Sequence, residues 1–355
     1  MEKDEGPTIH LYNDSGFSRI LELSESTYAG REIADSSYIN WEYLNNPDGV
    51  AVIKVAESFG KIVSQYVVLP RRYIINGNIK KGSLSVNTLT HPAYRGHGLF
   101  PILATETFKR CLERDILFTV GFPNPVSAPV IKSRKLFETI GALQLMIKPL
   151  NPIRPVLAYF FSRGKKTGTE IEMYIPKKYF FENENISVFE IDQDSMAYDK
   201  FLTKFNNGKK ITTFRSLEFL KWRYINIPFR KYMLFKRVDN GEITAIAVVR
   251  ARHLYGLRCG IITDLMFLED SANKNGLISF IRKVAAYNKL DMLITALPAH
   301  STENKLFRSS GFFTLPKKLL PQELLFIVRR HSTDCPDEIS NFNNWFLTFG
   351  DYDIF

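Results

Sequence analysis

The chain has 355 residues, 45% of them hydrophobic, 13% aromatic and 24% charged. Apolar residues run through almost every segment, which excludes a disordered chain, and the length suits two domains. A net charge of +10 favours anionic ligands such as phosphorylated cofactors, nucleotides, nucleic acids or acidic headgroups, without choosing among them.

In chain order, the acidic start Met1-Glu2-Lys3-Asp4-Glu5 lacks the apolar run of a signal peptide. Val50–Glu57 and Lys61–Leu69 are β-branched runs split by Ser58-Phe59-Gly60, a hairpin signal, and Gly82–Thr90 reads as a third strand. Leu99–Arg114 has apolar residues at helical spacing, Asp115–Phe122 reads as a strand, Ser127–Ile140 as a helix and Leu143–Lys148 as a strand. Pro149–Thr169 is dense in proline and glycine and marks a connection; within it, Val156–Phe161 reads as a short docked helix and Arg163–Lys166 as a solvated basic turn. Pro155–Phe161, the longest apolar stretch outside the strands, falls far short of the roughly 20 residues that span a bilayer. The same order of elements then recurs: strands at Tyr232–Val238, Glu242–Ala251 and Gly260–Leu268, a helix at Asn273–Asn288, a strand at Asp291–Leu297, and a helix ending at Gly311. The aromatic, acidic tail Asn344–Phe355 is expected to dock on the body. Cys111, Cys259 and Cys335 are widely spaced and include no Cys-x-x-Cys pair, so neither a disulfide framework nor a metal site is expected, and the chain reads as reduced and cytoplasmic.

The recurrence is also literal. Trp41–Pro47 and Trp222–Pro228 both read W-x-Y-x-N-x-P, at an offset of 222 − 41 = 181. Lys135-Leu136-Phe137 with Gly141 matches Lys305-Leu306-Phe307 with Gly311, at an offset of 305 − 135 = 170. These matches describe two copies of one α/β fold, each an antiparallel meander leading into a parallel crossover. The expected division is 1–150 for the first copy, 151–185 for a linker, 186–330 for the second copy and 331–355 for the tail.

The most informative stretch is Leu89-Thr90-His91-Pro92-Ala93-Tyr94-Arg95-Gly96-His97-Gly98-Leu99. A strand enters a loop with two close glycines, and a helix follows at once. Amides at a helix start lack intrahelical partners and carry the positive end of the helix dipole, so a pyrophosphate can sit there if no Cβ bars its approach. Arg95 adds a fixed positive charge.

Pro92-x-Tyr94-Arg95-Gly96-x-Gly98-Leu99 resembles the acyl-coenzyme A loop of the GCN5-related N-acetyltransferase (GNAT) superfamily, and Asn124 through Phe137 to Gly141 resembles the segment that follows it there. The resemblance implies two tandem GNAT-like domains, each with a mixed, mostly antiparallel sheet flanked by helices, the first binding acetyl-CoA or another short acyl-CoA as co-substrate. It implies that the amides of Arg95, Gly96, His97, Gly98 and Leu99 hold the pyrophosphate, with Tyr94 also among the cofactor-binding residues, that Leu89 and Thr90 pair with the pantetheine amides, that Asn124 bonds the pantetheine arm, and that Phe137 packs beside the thioester. The W-x-Y-x-N-x-P helix is similar to that of tandem members of amino-sugar pathways. The implied reaction is transfer of an acetyl or short acyl group to a small, anionic amine acceptor, such as an amino sugar or nucleotide-linked amino sugar, in a ternary complex, with neither DNA nor a membrane span as partner.

Two departures from the family pattern stand out. Phe137 occupies a place where a tyrosine often protonates the leaving thiolate, and phenylalanine has no proton to give. Strand Ser83–Thr90 carries no carboxylate to act as base; Asn87 and Thr88 hold its middle. In the second copy, Leu268–Gly276 replaces the glycine loop, and its Glu269 and Asp270 would repel a pyrophosphate. Aligning the third strands sets Asp264 against Thr88 (264 − 88 = 176), which makes Asp264 the candidate for orienting or deprotonating the amine. Two rival readings are an aminoacyl-tRNA-dependent transferase of the peptidoglycan (FemABX-like) type and a non-catalytic acyl-CoA sensor.

Overall fold

The computed structural model describes residues 6–12, 17–151, 153–154, 168–176, 185–269, 275–320 and 322–352. Pro155–Phe161, the basic turn at 163–166 and Asp270 lie outside them. The chain divides into two compact units that are not contiguous in sequence: residues 1–141, 226–228 and 325–342 form the first, and 142–225, 229–324 and 343–355 the second.

The first unit opens with strand β1 (Thr8–Leu11), helix α1 (Ser18–Tyr28) and the short helix α2 (Ser36–Ile39). Helix α2 is capped by Asp35, whose carboxylate accepts from the Ser37 amide at 2.8 Å. It widens at once into a π-turn over Asn40–Leu44, closed by the bond from the Asn45 amide to the Asn40 carbonyl. An antiparallel meander follows: β2 (Val52–Ser58), β3 (Lys61–Ile75) and β4 (Asn78–Thr90). Helix α3 (Leu99–Leu112) crosses over to β5 (Phe118–Gly121), which is parallel to β4, and helix α4 (Ser127–Ser133) comes next. Leu99, Leu103 and Phe108 of α3 pack on Val52, Tyr66 and Val68 of the meander, and this is the unit's core. Burying each such side chain is worth about 1.5–3 kcal/mol.

Strand β6 (Glu138–Pro149) leads into the second unit, followed by β7 (Ile186–Val188), helix α5 (Ser195–Asn207), β8 (Ile211–Thr213) and helix α6 (Leu217–Leu220). Here too a short helix passes into a π-turn, over Lys221–Ile225. The meander β9 (Met233–Asp239), β10 (Glu242–Leu254) and β11 (Leu257–Phe267) follows, then helix α7 (Asn275–Tyr287), β12 (Met292–Pro298) parallel to β11, helix α8 (Thr302–Ser309) and β13 (Phe313–Thr314). The α7 face of Leu277, Ile281 and Val284 meets Ala247, Val249 and Ile262 in a second core.

Strand β14 (Leu324–Arg330) then returns to the first unit and pairs antiparallel with β5, from Ile327 opposite Gly121 to Arg330 opposite Phe118. The sequence division at residues 330 and 331 therefore differs from the contacts, which give Leu325–Phe342 to the first unit and Asn343 onward to the second.

The two W-x-Y-x-N-x-P segments both fall on π-turns and place their tryptophans and tyrosines inside, with Trp41 at 5%, Tyr43 at 0%, Trp222 at 4% and Tyr224 at 1% exposure. The second repeat marker aligns differently. The expected helix Ser127–Ile140 stops at Ser133, because Lys135 turns into the left-handed region (φ 51°) and Leu136 bonds back to the Ile131 carbonyl. Residues 138–149 are strand, not helix. Lys305-Leu306-Phe307 lies within α8 instead, where Gly311 (φ 81°) makes the same stop and Phe312 bonds back to Phe307. Lys135 thus corresponds to Gly311, at 311 − 135 = 176, the offset that also relates Thr88 to Asp264.

Candidate functional site

In the first unit, β4 and β5 are in parallel register only at Ser83 opposite Thr119 and Leu84 opposite Val120. Strand β4 runs six residues further, to Thr90 (90 − 84 = 6), without a β5 partner. A bulge marks the parting: Gln65 faces Leu89 but Val67 faces Val86, so β4 holds one extra residue, and Asn87 takes φ 46°. On its other edge β4 stays tied down, with the Ser64 hydroxyl donating to the Leu89 carbonyl at 2.9 Å and lying 2.8 Å from the Thr90 hydroxyl. The result is a strand with one edge free of β5 that ends at a loop and a helix start.

That loop is built for close approach. Gly96 has φ 85° and Gly98 φ 73°, a region that costs most L-residues strain, and a Cβ placed on either would meet nothing within 4 Å. Gly98 is also the residue before the first turn of α3, which no side chain caps. The first amides of a 14-residue helix therefore lack a side-chain cap behind a smooth glycine rim. Tyr94 is fixed by its hydroxyl donating to Ser58 at 3.1 Å, and His91 by its Nδ1 accepting from the Ala93 amide at 3.3 Å. The Arg95 guanidinium is exposed and bonds the Thr90 carbonyl at 3.3 Å; His97 is exposed and Leu99 buried in the core.

The other expected binding residues sit as follows. Asn124 is exposed and organises the start of α4, its side-chain oxygen accepting from the Val126 and Ser127 amides, both at 2.9 Å. Phe137 lies beyond the end of α4 and is buried, its ring edge-on to Phe108 at 5.4 Å.

Sequence reasoning missed a buried polar cluster behind the bulge. Asn87 Nδ2 donates to the Glu42 carboxylate and, at 3.1 Å, to the Tyr43 hydroxyl. Gln65 Nε2 donates to the Asn87 carbonyl at 2.9 Å. Glu42 is only 3% exposed. Burial, with the Glu42 charge adding to it, pushes the Tyr43 phenol well above its ordinary range, so it remains a donor. The π-turn is what aims Glu42 and Tyr43 inward side by side, a geometry that ordinary helical periodicity does not forecast.

Asp264 occupies the matching place in the second unit, on a strand with its own bulge between the pairs Val248–Asp264 and Val249–Ile262. It is 1% exposed and engaged on both oxygens. Arg215 Nε donates to one at 2.7 Å and the Tyr224 hydroxyl to the same oxygen at 3.0 Å, while the Thr348 hydroxyl donates to the other at 3.0 Å. Arg215 also binds Asp351 at 2.8 Å. The turn Phe349–Asp351, closed by a reciprocal Thr348–Asp351 cap, lies against β11 and β12. A Cβ on Gly350 would come within 2.8 Å of the Asp264 carboxylate. In this unit the tail packs beside the bulge, against Asp264. This arrangement gives Asp264 the surroundings of a structural ion pair, with no open face toward an amine.

Residues 8–138 match the family model described as the acetyltransferase (GNAT) domain. This segment is a GNAT domain. No curated protein matches the chain by sequence. Among solved structures, the N-myristoyltransferase of Saccharomyces cerevisiae with bound myristoyl-CoA is similar, with 13% identity, a TM-score of 0.59 and coverage of 93% of this chain and 81% of that one. A GCN5-related N-acetyltransferase from Anabaena variabilis gives 14% identity, TM-score 0.60 and coverage of 92% and 73%. A protein of Enterococcus faecalis V583 described as a probable N-acyltransferase gives 11%, 0.60, 92% and 73%. At these identities the structures establish the fold, which is α/β with mostly antiparallel strands flanked by helices.

Among the described residues no group of three or more His, Cys, Asp or Glu is placed to hold a metal ion, and no helix is long and apolar enough to cross a membrane. Burial pushes the thiols of Cys111 and Cys259 up to about 12 and that of Cys335 to about 11, the reverse of what a cysteine nucleophile requires.

Proposed function

We propose that this GNAT acyltransferase binds an acyl-CoA along the free edge of β4, with the pyrophosphate on the amides that open α3, and passes an acetyl or short acyl group directly to an amine. The observation that carries the reading is the pair Gly96 and Gly98, both left-handed and both facing open space, ahead of a helix start that no side chain caps. A pyrophosphate needs that combination of bare amides, helix dipole and absent Cβ atoms. Arg95 adds a cation at the rim, and the β4 backbone beyond the bulge supplies amide and carbonyl groups for the pantetheine arm. Leu89 and Thr90 present the last of these groups, Asn124 stands at the start of α4 beside the arm, and Phe137 supports the site from the core.

Catalysis on this reading comes from proximity and from backbone donors aimed at the carbonyl oxygen as it gains charge. The acceptor is proposed to be a small anionic amine, an amino sugar or a nucleotide-linked one, in keeping with the net charge of +10. The donor's acyl length is the open variable, since one similar structure holds myristoyl-CoA.

Calorimetric titration with acetyl-CoA and with myristoyl-CoA tests the reading. One acetyl-CoA per chain is expected, lost in Gly98→Trp, where the new side chain blocks the helix start. Binding of myristoyl-CoA alone would replace the short acyl group by a long one. Absence of both would overturn the reading, and two equivalents per chain would show that the second unit also binds.

A further inference from the structure

Coenzyme A consists of a flexible pantetheine arm and a phosphorylated adenosine, joined by a pyrophosphate. With the arm along β4 and the pyrophosphate on the amides that open α3, the adenosine leaves the glycine loop on its solvent side. Beside that loop stands the turn between β2 and β3. Loop and turn emerge from the same end of the meander: Ser64 of β3 faces Thr90, and the His91 amide donates to the Val63 carbonyl at 2.8 Å. The Tyr94 hydroxyl donates to Ser58 at 3.1 Å, so the loop is bonded to the residue that enters the turn.

The tip of that turn carries a residue its geometry does not favour. Ser58 pairs with Lys61 across a two-residue connection, Phe59 at φ 49° and Gly60 at φ 72°. Two left-handed residues in succession select Asn-Gly or Asp-Gly, and a phenylalanine in the first place is strained. Phe59 is also 87% exposed, an apolar ring standing in water. Arg19 holds the tip in place, donating to the Gly60 carbonyl at 3.0 Å and pairing with Glu57 at 2.6 Å. The loop adds rings of its own, with Tyr94 centred 6.1 Å from His91 and 6.5 Å from the exposed His97.

The second unit supplies an internal contrast. At the offset of the W-x-Y-x-N-x-P repeat (240 − 59 = 181), Asn240-Gly241 makes the same turn, at φ 52° and 78°. The scaffold therefore accepts the favoured pair there, and the exposed ring is found in the copy that has the glycine loop.

We propose that Phe59 is the platform on which the adenine base of the acyl-CoA stacks, and that it selects the free coenzyme as donor; this rests on the acyltransferase reading. A base offers its π-face to an aromatic side chain, and the reward is greatest where the ring is already fixed and bare. Stacking also takes the apolar face of Phe59 out of water. An acyl group carried on the phosphopantetheine arm of a protein has no adenine, so it gains nothing from the ring. Phe59 is thus a specificity residue that acts on the donor's far end and leaves the reacting thioester untouched.

The test measures the dissociation constants of acetyl-CoA and of S-acetyl phosphopantetheine, which lacks the nucleotide, for wild type, Phe59→Asn and Phe59→Trp. Asparagine suits the turn, so the urea midpoint of Phe59→Asn should equal or exceed that of wild type. The same variant should bind acetyl-CoA about 10-fold more weakly, with acetyl phosphopantetheine changed by less than about twofold. Phe59→Trp keeps a stacking ring and should hold acetyl-CoA at least as tightly as wild type. Unchanged acetyl-CoA affinity in Phe59→Asn would overturn the proposal, as would a tryptophan variant as weak as the asparagine one. Equal weakening of both compounds would overturn it too, since the substitution would then be disturbing the loop. So would a wild type that binds the two compounds equally, because the nucleotide would add nothing. A wild type that binds neither would remove the acyl-CoA reading itself.

Discussion

His331 ends a line of hydroxyls inside the first unit: its Nε2 lies 2.7 Å from Thr119 Oγ1, which is 2.7 Å from Ser83 Oγ. Its ring stacks on Phe108 at 5.1 Å. Burial, helped by the nearby Arg329 charge, pushes the imidazole down to about 4 from an ordinary 6.5. Between those values the unfolded chain binds a proton that the native chain refuses, so stability is full above about pH 6.5 and falls as pH drops toward 4. The window is worth up to about 3 kcal/mol. Urea midpoints at pH 7 and pH 4.5 should therefore diverge more in wild type than in His331→Gln; an equal divergence would mean that other groups carry the acid sensitivity. At this scale the sequence was only partly legible. The glycines of the loop announced themselves because φ above zero and bare amides have few alternative explanations. Glu42 and Asp264 did not, because a carboxylate's role depends on which partners the fold brings to it. Arg215 and the tail came to Asp264 from far along the chain, whereas Asn87 came to Glu42.

At the scale of elements, period-two and helical patterns located most strands and helices, and the errors have physical causes. The β3–β4 hairpin extends to Ile75 opposite Asn78, turned by Asn76 (φ 49°) and Gly77 (φ 77°). The Asn-Gly pair was the available signal, obscured by the charged Arg71, Arg72, Lys80 and Lys81 around it. The repeat pattern sets Gly141 beside Gly311 at a helix end, but Gly141 lies within β6 and its reason is contact. A Cβ there would lie 2.3 Å from the ring of Phe342, so the glycine lets an aromatic ring lie on the strand backbone. Gly141→Ala should accordingly cost about 1–3 kcal/mol through overpacking, read as a lower urea midpoint with an unchanged slope. If a second change, Phe342→Leu, does not recover part of that loss, the ring is not the cause.

On the scale of the whole molecule, two similar copies have diverged in how they treat one place beside a bulged strand. The first runs on from its bulge to a glycine-lined helix start, and the second packs its own tail beside its bulge, burying Trp345, Phe346, Leu347, Phe349 and Tyr352. Five such side chains at about 1.5–3 kcal/mol each compare with the roughly 5–15 kcal/mol that holds a typical domain together. A chain stopped after Phe342 should therefore lose the second unit's fold, with amide exchange in β11 and β12 rising to that of an unfolded segment. Retained protection would show the tail to be dispensable.

The return of β14 to β5 has a consequence in time. Gly121 and its partner Ile327 are 327 − 121 = 206 residues apart. Chains are made at about 5–20 residues per second, so the β5 edge waits roughly 10–40 s for its neighbour to be synthesised. During that interval a row of unpaired amides and carbonyls stands next to a finished hydrophobic meander, a template for pairing with another nascent chain. The first unit is begun before the second and completed only after nearly the whole of that second unit has been translated.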